Sequence, residues 1–298
     1  MATHARVNDE MNTMNTSNVS RRKNVIKSND QSNERTENLE EKDRKGESSM
    51  DVQTAAFALS IMIVAGSILR ENEMVPESFF ADKHNPLNQK FVKWSWGWTL
   101  CFMTPFLLLL SWARHPGQYL QAFRGILRLV ALTAAWYFWV NIVMDTVHEY
   151  SGKCSIEAHS SGGSRACRRG GGRWDGFDIS GHSFLLVLIV LTTLEEMAPF
   201  WHLYESSGVQ ITFQGSTESQ QGTKRIPIFS FLLEILLYIL AIIISLMQSL
   251  SVLMVLATSL YFHTISHKVI GTALAIITWY ITYRLWFKSS RTFSLPLF

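Results

Sequence analysis

Aromatic residues are missing from the first fifty positions of the chain, although the whole sequence has 18 Phe, 10 Trp and 8 Tyr. Asn, Ser and charged residues of both signs occupy this segment instead. Such a composition buries too little apolar surface to offset the entropy of ordering. The segment also lacks the apolar core of a cleavable signal peptide and the acid-poor character of a transit peptide. We therefore predict a disordered cytosolic tail at 1–50, followed by a first apolar span that serves as the insertion signal.

A strong excess of charge of one sign is also missing. The chain has 27 Lys and Arg against 24 Asp and Glu, a formal net charge of +3. No stripe of Lys and Arg interleaved with aromatic residues appears, so nucleic acid is not an expected partner. Channel or transporter function is disfavoured too, since the apolar segments lack the rows of polar residues that transport sites commonly show.

Only three cysteines are present. Cys101 lies in an apolar run and is predicted to be a small buried side chain. Cys154 and Cys167 flank a loop rich in Gly, Ser and Arg. They form a disulfide if this loop faces an oxidising compartment and remain thiols if it does not. Two cysteines in a loop do not decide between these alternatives.

Long apolar segments dominate the chain after the polar tail. A helix needs about 20 apolar residues to cross about 30 Å of hydrocarbon. Suitable segments lie at about 54–69, 91–112, 126–147, 179–200, 226–262 and 269–287. We predict an all-α, polytopic membrane helix bundle with about six transmembrane helices, in a domain that spans 51–290. A short cytosolic C-terminal segment, 291–298, follows it.

The fifth apolar segment leaves the topology open. Residues 226–262 fit either one long tilted helix or a broken pair of helices. One crossing gives six spans with both termini on one side, and two crossings give seven. The distribution of Lys and Arg arbitrates only weakly. With six spans, the start of the fourth span and the end of the fifth lie on the same, non-cytosolic, face.

Polar residues open the fourth apolar span. Asp178 or Ser180 is the predicted N-cap, because either side chain can accept a hydrogen bond from a free backbone N–H. The free N–H groups and the helix dipole favour a bound anion such as phosphate, and Gly181 lets a ligand approach the backbone. His182 can then protonate a leaving oxygen. The alternative is a capped helix with an interfacial histidine.

A second polar segment joins the fifth and sixth spans on the same face. A neutral imidazole at His263 can attack phosphorus, although a helix C-terminus would favour the imidazolium. Lys268 at a helix N-terminus is unfavourable for the helix dipole unless it faces a bound phosphate. His263 and His267 have the spacing of two metal ligands, but no Glu, Asp or Cys ligand accompanies them, so no metal or other cofactor is expected.

Two adjacent carboxylates, Glu195 and Glu196, lie near the cytosolic end of the fourth span. Charges within apolar segments are expensive and often functional. This pair is at the end opposite to the histidines, however, and we predict a structural or interfacial role for it.

Four stretches of this sequence resemble the fat storage-inducing transmembrane family, over about residues 67–286. They are Asn85-Pro86-Leu87-Asn88 leading into Phe91-Val92-Lys93-Trp94; Gly176-Phe177-Asp178-Ile179-Ser180-Gly181-His182-Ser183-Phe184-Leu185-Leu186; Glu195-Glu196-Met197; and Tyr261-Phe262-His263 with Lys268-Val269 and Gly271-Thr272. The Gly-Phe-Asp-Ile-Ser-Gly-His string is specific, whereas Ser-Gly-His alone would not be.

The resemblance implies an endoplasmic reticulum protein with six spans, cytosolic termini and a luminal active site. It also implies kinship with lipid phosphate phosphatases and cleavage of the phosphoanhydride of fatty acyl-CoA to acyl-4′-phosphopantetheine and adenosine 3′,5′-bisphosphate. Di- and triacylglycerol binding and a role in lipid-droplet formation are further implied. His182 and His263 correspond to the catalytic histidines of the second and third phosphatase motifs, and Asp178, Ser180, Gly181 and Lys268 are the expected substrate-binding residues.

The sequence departs from the phosphatase pattern in two ways. An Arg is expected shortly before the third-motif histidine and an Asp shortly after it, yet no Arg directly precedes His263 and His267 stands at the place of the Asp. The first motif has no clean counterpart, and Lys90 or Lys93 would have to substitute. The alternative function is a non-catalytic protein that binds di- or triacylglycerol in a cleft between apolar helices.

Overall fold

The computed structural model describes residues 52–114, 119–156, 162–207 and 228–286, which are mostly helical. In chain order the long helices and short strands are α1 (Val52–Glu71), α2 (Ser95–Arg114), α3 (Tyr119–Phe138), α4 (Asp145–Ser151), β1 (Lys153–Cys154), α5 (Gly163–Arg169), β2 (Trp174–Asp175), α6 (Gly181–Ser207), α7 (Ile228–Tyr261) and α8 (Ile265–Tyr280). Short 3-10 turns lie at Phe79–Ala81 and Val92–Trp94, and π-helical turns at Leu87–Phe91, Trp139–Met144 and Ile281–Trp286.

Within the described residues, six helical segments are long and apolar enough to cross a membrane. They are Val52–Glu71, Leu87–Ala113, Ala122–Ser151, Gly181–Glu205, Phe231–Tyr261 and Ile265–Trp286. The predicted all-α bundle of about six spans is therefore confirmed. The fifth apolar region forms the single helix α7, which decides the alternative left open by the sequence. The predicted tail 1–50 and the segment 291–298 lie outside the described residues.

Helix α6 lies at the centre of the bundle. In its apolar window 78% of the residues are buried, against 11% for the span that contains α3. It packs against α8, α7 and α2, so apolar side chains are needed on all of its faces rather than on one stripe. The fully buried residues of its first turns include Phe184, Leu186 and Leu188. The polar segment that precedes α6 is therefore held at the end of the best-packed helix.

The loop between α4 and α6 is cross-linked. Strands β1 and β2 pair antiparallel, and a disulfide joins Cys154 in β1 to Cys167 in α5, with Cα atoms 5.7 Å apart. This decides between the disulfide and the two thiols. The prediction for Cys101 was wrong, because its side chain is exposed on the outside of α2. An apolar thiol needs no protein partner on a surface that faces lipid.

Candidate active site

Ser180 caps the N-terminus of α6. Its Oγ accepts a hydrogen bond from the Ser183 backbone N–H at 3.3 Å, and its carbonyl accepts one from the Phe184 N–H at 3.1 Å. Of the two predicted caps, the structure thus selects Ser180 over Asp178. The Ser180 side chain is fully buried, so its hydroxyl serves the cap rather than an open surface.

The first turn of α6 leaves room for a ligand. A Cβ atom added to Gly181 would meet no other atom within 4 Å. The backbone N–H groups of Gly181 and His182 have no hydrogen-bond partner in the part of the chain that the structure describes. Free N–H groups at the positive end of a helix favour an anion. The structure thus leaves space and free N–H donors at the N-terminus of α6, where the sequence analysis placed an anion site.

His263 lies between α7, which ends at Tyr261, and α8, which begins at Ile265. Its φ of +53° is in the left-handed region, which is uncommon for any residue other than glycine, although histidine enters it more often than most side chains do. Holding such a conformation costs of the order of 1 kcal/mol or more, and strain of this kind clusters at functional sites.

A carboxylate lies beside His263. The Nδ1 atom of His263 is 3.8 Å from Oδ2 of Asp178, which precedes α6. This leaves Nε2 as the nitrogen that faces away from the carboxylate. Asp178 thus gives His263 an acidic neighbour from another part of the chain. Sequence spacing could not reveal this contact.

The surroundings of His263 favour the neutral imidazole. Burial lowers its pKa below the usual range, and the charges of His267, Lys268 and Arg70 lower the pKa further, against an opposing effect of the Asp178 carboxylate. A neutral imidazole is the nucleophilic form. The C-terminus of α7 opposes this shift, as the sequence argument expects, because His263 lies only two residues after Tyr261.

The structure brings the two candidate histidines together. His182 and His263 act on each other electrostatically, and the charges of Lys93 and Asp178 also act on His182. Lys93 is thus close enough for its charge to act on His182, and its Nζ donates to the Gln89 side chain at 2.6 Å. Segments that are far apart in sequence thus place two histidines, a carboxylate and a cation near the N-terminal end of α6.

Comparison with known proteins shows which family the chain belongs to. A sequence profile of the family described as fat storage-inducing transmembrane protein matches residues 76–283. The chain belongs to this family. It is 34% identical over 248 residues to acyl-coenzyme A diphosphatase FITM2 of Homo sapiens, covering 80% of this chain and 85% of that protein. The protein of the same name from Danio rerio is 33% identical over 246 residues, with the same coverage.

The protein of the same name from Drosophila melanogaster is 32% identical over 253 residues, which cover 80% of this chain but only 59% of that relative. No solved structure matches this member of the fat storage-inducing transmembrane family.

Lys268 takes a different place from the one expected in this family member. Its side chain is fully buried, and its Nζ donates to the Ser259 carbonyl of α7 at 2.6 Å. The ammonium thus links α8 to the end of α7 instead of facing the open end of α6. A lysine in the first turn of a helix can satisfy a carbonyl of the preceding helix, which sequence position alone does not show.

Two residues that sequence reasoning missed hold the His263 loop from the end of α1. An N–H of the Arg70 guanidinium (Nη1) donates to the His263 carbonyl, and Oε1 of Glu71 accepts a hydrogen bond from the Ile265 N–H at 3.3 Å. The sequence carries no local signal for these contacts, because the partners are 193 and 194 residues apart.

His267 has a structural place in the site. Its carbonyl accepts a hydrogen bond from the Ser180 N–H at 3.1 Å, and its ring lies edge-to-face with Phe177, with ring centroids 4.4 Å apart. The His263 and His267 rings are 6.1 Å apart. Within the described segments, no three His, Cys, Asp or Glu side chains come together as metal ligands.

The carboxylate pair on α6 is engaged in ion pairs. Both oxygens of Glu196 accept hydrogen bonds from Arg128 of α3 at 2.6 Å, and the Tyr283 hydroxyl donates to Glu196 at 2.7 Å. Glu195 accepts from Arg284 at 2.6 Å. These contacts tie α6 to α3 and to the segment that follows α8, in agreement with the structural role predicted for Glu195 and Glu196.

Proposed function

We propose that this protein is an acyl-CoA diphosphatase that cleaves the phosphoanhydride of fatty acyl-CoA to acyl-4′-phosphopantetheine and adenosine 3′,5′-bisphosphate. The observation that carries the proposal is the meeting of His182 and His263 at the open N-terminus of α6, with a carboxylate beside Nδ1 of His263. The curated relatives are named acyl-coenzyme A diphosphatases, which supplies the substrate class.

In the first step, Nε2 of the neutral His263 attacks one phosphorus of the diphosphate. A P–N bond forms while the bridging P–O bond breaks. His182, in its protonated form, donates a proton to the departing phosphate oxygen. Asp178 orients the His263 ring and stabilises the positive charge that develops on it, as the carboxylate of a catalytic triad does for its histidine.

In the second step, a water molecule attacks the phosphorylated His263. The now neutral His182 takes a proton from this water, and the P–N bond breaks with its electron pair returning to His263. The free N–H groups of Gly181 and His182 and the ammonium of Lys93 stabilise the negative charge of the phosphoryl oxygens. The site is related in this proposal to that of lipid phosphate phosphatases.

The proposed location is the endoplasmic reticulum membrane, with cytosolic termini and a luminal active site. Disulfides persist in oxidising compartments, and the bond between Cys154 and Cys167 closes the loop that leads directly into α6. The acyl chain of the substrate would lie in the bilayer beside the exposed apolar side chains of the helices. Through this reaction the protein would support lipid-droplet formation and lipid homeostasis of the endoplasmic reticulum.

The test is hydrolysis by the purified full-length protein in detergent, with acyl-CoA and phosphatidic acid side by side. His263→Ala and His182→Ala should each lower acyl-CoA cleavage by about 100-fold or more, since each removes a reacting group. His202→Ala is the matched control, because His202 lies on the same helix about 30 Å from His182. Wild-type turnover in both active-site variants would refute the proposal.

The competing interpretation is a non-catalytic protein that binds di- or triacylglycerol. It predicts that the double variant, His182→Ala with His263→Ala, still binds neutral lipid and still supports droplet formation in cells. Loss of droplet formation with retained lipid binding would assign the droplet phenotype to catalysis. The half-buried His263 with its left-handed backbone speaks for the enzyme, because neutral-lipid binding needs no neutral imidazole.

A further inference from the structure

Lys93 supplies one cation in the proposed mechanism, but Lys268, the lysine expected beside His263, is buried against α7. We propose that Arg70, at the end of α1, binds the non-bridging oxygens of that phosphate and stabilises their charge in the transition state. This inference rests on the proposed function, since it assigns a further substrate-binding residue to the same site.

Position is the first argument. The Arg70 guanidinium donates to the backbone carbonyl of His263, so it lies beside the residue whose imidazole attacks in the proposed mechanism. Its charge acts on the His263 ring and on Lys268. The side chain is half-buried, so its remaining surface is accessible at the mouth of the site.

Unused hydrogen-bonding capacity is the second argument. A guanidinium carries five N–H donors in a planar fork that matches the oxygens of a phosphate. Among the described residues, the His263 carbonyl is the one acceptor that Arg70 contacts. No carboxylate of the described chain lies within ion-pair distance of Arg70. The adjacent Glu71 accepts a hydrogen bond from the Ile265 N–H instead.

The balance of charge is the third argument. Arg70 and Lys268 are two cations close to each other, and the carboxylate that acts on Lys268 is that of Glu71. The positive charges repel each other in the free protein, and an anion placed between Arg70 and His263 relieves this repulsion. Arg70 therefore adds a positive charge beside the His263 loop, next to the opposing charge of Glu71.

The alternative is that Arg70 only holds the His263 loop. The chain offers a matched control, because Glu71 contacts the same loop from the adjacent position without offering a cation. The experiment compares Arg70→Ala, Arg70→Lys and Glu71→Ala in the purified full-length protein. Arg70→Gln and Glu71→Gln replace the alanine variants if these do not elute as folded protein from size-exclusion chromatography.

The readouts are kcat/KM for acyl-CoA, inhibition by orthovanadate and the rise of the melting temperature caused by orthovanadate, a phosphoryl analogue. Arg70→Ala should lower kcat/KM by about 100-fold or more, as the loss of one transition-state donor does. It should also weaken vanadate inhibition at least about 10-fold, corresponding to about 1.4 kcal/mol. Arg70→Lys should not restore the affinity, because an ammonium lacks the planar fork.

Two results identify a direct contact rather than a holding role. Guanidinium ion added at millimolar concentration should partly restore the kcat/KM of the Arg70→Ala variant. The inhibition constant of vanadate for Glu71→Ala should stay within about twofold of the wild-type value. Equal loss of vanadate affinity in Arg70→Ala and Glu71→Ala, or unchanged affinity in Arg70→Ala, would overturn the inference.

The vanadate-induced rise in melting temperature separates this inference from the proposed function, because it needs no substrate. A wild-type protein that cleaves no acyl-CoA but is stabilised by vanadate in an Arg70-dependent way would refute the function and keep the anion contact. A wild-type protein that vanadate neither inhibits nor stabilises would refute the Arg70 contact as well.

Discussion

At the scale of single residues, His263 combines a half-buried ring with an acidic neighbour. Burial and the nearby cations lower its pKa, and Asp178 opposes them. The attacking group must be neutral, so the acidic limb of a pH–rate profile reports this histidine. The site is thus tuned by residues that come from three different segments of the chain.

Two substitutions should move that acidic limb in opposite directions. Asp178→Asn removes a carboxylate that raises the pKa of His263, so the limb should shift to lower pH, with a lower maximal rate because the ring is less well oriented. His267→Gln removes a neighbour that lowers this pKa, so the limb should shift to higher pH. Profiles of kcat/KM from about pH 5 to 8 measure both shifts. Shifts of the acidic limb in the same direction for both variants would show that a group other than His263 determines its pH.

The histidines could be predicted from sequence, whereas their partners could not. Polar residues that interrupt apolar runs at span ends are visible in one dimension, and this led to His182 and His263. Arg70 and Glu71 stand at an ordinary helix end, and only the docking of α1 brings them to a loop more than 190 positions later. Lys268 was expected to face a phosphate, but a backbone carbonyl of the neighbouring helix accepts from it instead.

At the scale of helices, α8 touches the first turn of α6 through a glycine. A Cβ atom added to Gly271 would lie 2.5 Å from the Ser180 carbonyl oxygen and 3.4 Å from the Phe184 nitrogen. The two backbones therefore approach each other directly, and this approach fixes the distance between the His182 turn and the loop that carries His263.

Alanine at two glycines should separate packing from binding. Gly271→Ala should push α8 away from α6, lowering stability by about 1–3 kcal/mol together with activity, because backbone atoms cannot yield. The methyl group added by Gly181→Ala would meet no protein atom, so stability should be kept. The same methyl group would occupy space proposed for the substrate, so the KM for acyl-CoA should rise. Melting temperatures in detergent and steady-state kinetics distinguish the two. A fully active Gly181→Ala variant would argue against substrate at the first turn of α6.

The helical elements were largely predictable and their junctions were not. Apolar length is enough to locate the spans, since hydrocarbon thickness sets it. The same measure could not decide whether the fifth region was one helix, because α7, from Ile228 to Tyr261, exceeds what one perpendicular crossing needs. The π-helical turn at Trp139–Met144 leaves no mark in a hydropathy pattern, as its residues are as apolar as their neighbours.

At the scale of the whole molecule, the two ends of α6 have different tasks. Its first turn borders the histidines, and its carboxylates, about 21 Å further along the helix, tie the bundle together. Glu196 is 2% exposed and accepts from both Arg128 and Tyr283. Removing it would leave a largely buried arginine without its counter-ion.

Glu196→Ala should therefore lower stability by about 3 kcal/mol, the loss expected when one partner of a buried pair is removed. The activity of the molecules that remain folded should be unchanged, because the pair lies far from the histidines. Glu205→Ala, an exposed carboxylate on the same helix, is the control and should have little effect. Thermal unfolding in detergent and specific activity measure both effects. Equal melting temperatures for the two variants would contradict the bundle-tying role.

Six crossings were predictable because helix count and hydropathy are local properties. This count also places the start of α6 and the end of α7 on one face, which is why the sequence could pair His182 with His263. The packing of α1 against the later helices depends on side-chain fit over the whole bundle, and no local pattern encodes it.

The left-handed backbone of His263 has a consequence for protein engineering. Glycine adopts φ near +53° without a steric penalty, and asparagine adopts it more readily than histidine does. A library selected only for heat resistance in detergent should therefore enrich glycine or asparagine at position 263 and accumulate robust but inactive proteins. Any directed-evolution campaign aimed at a crystallisable variant should hold this codon constant.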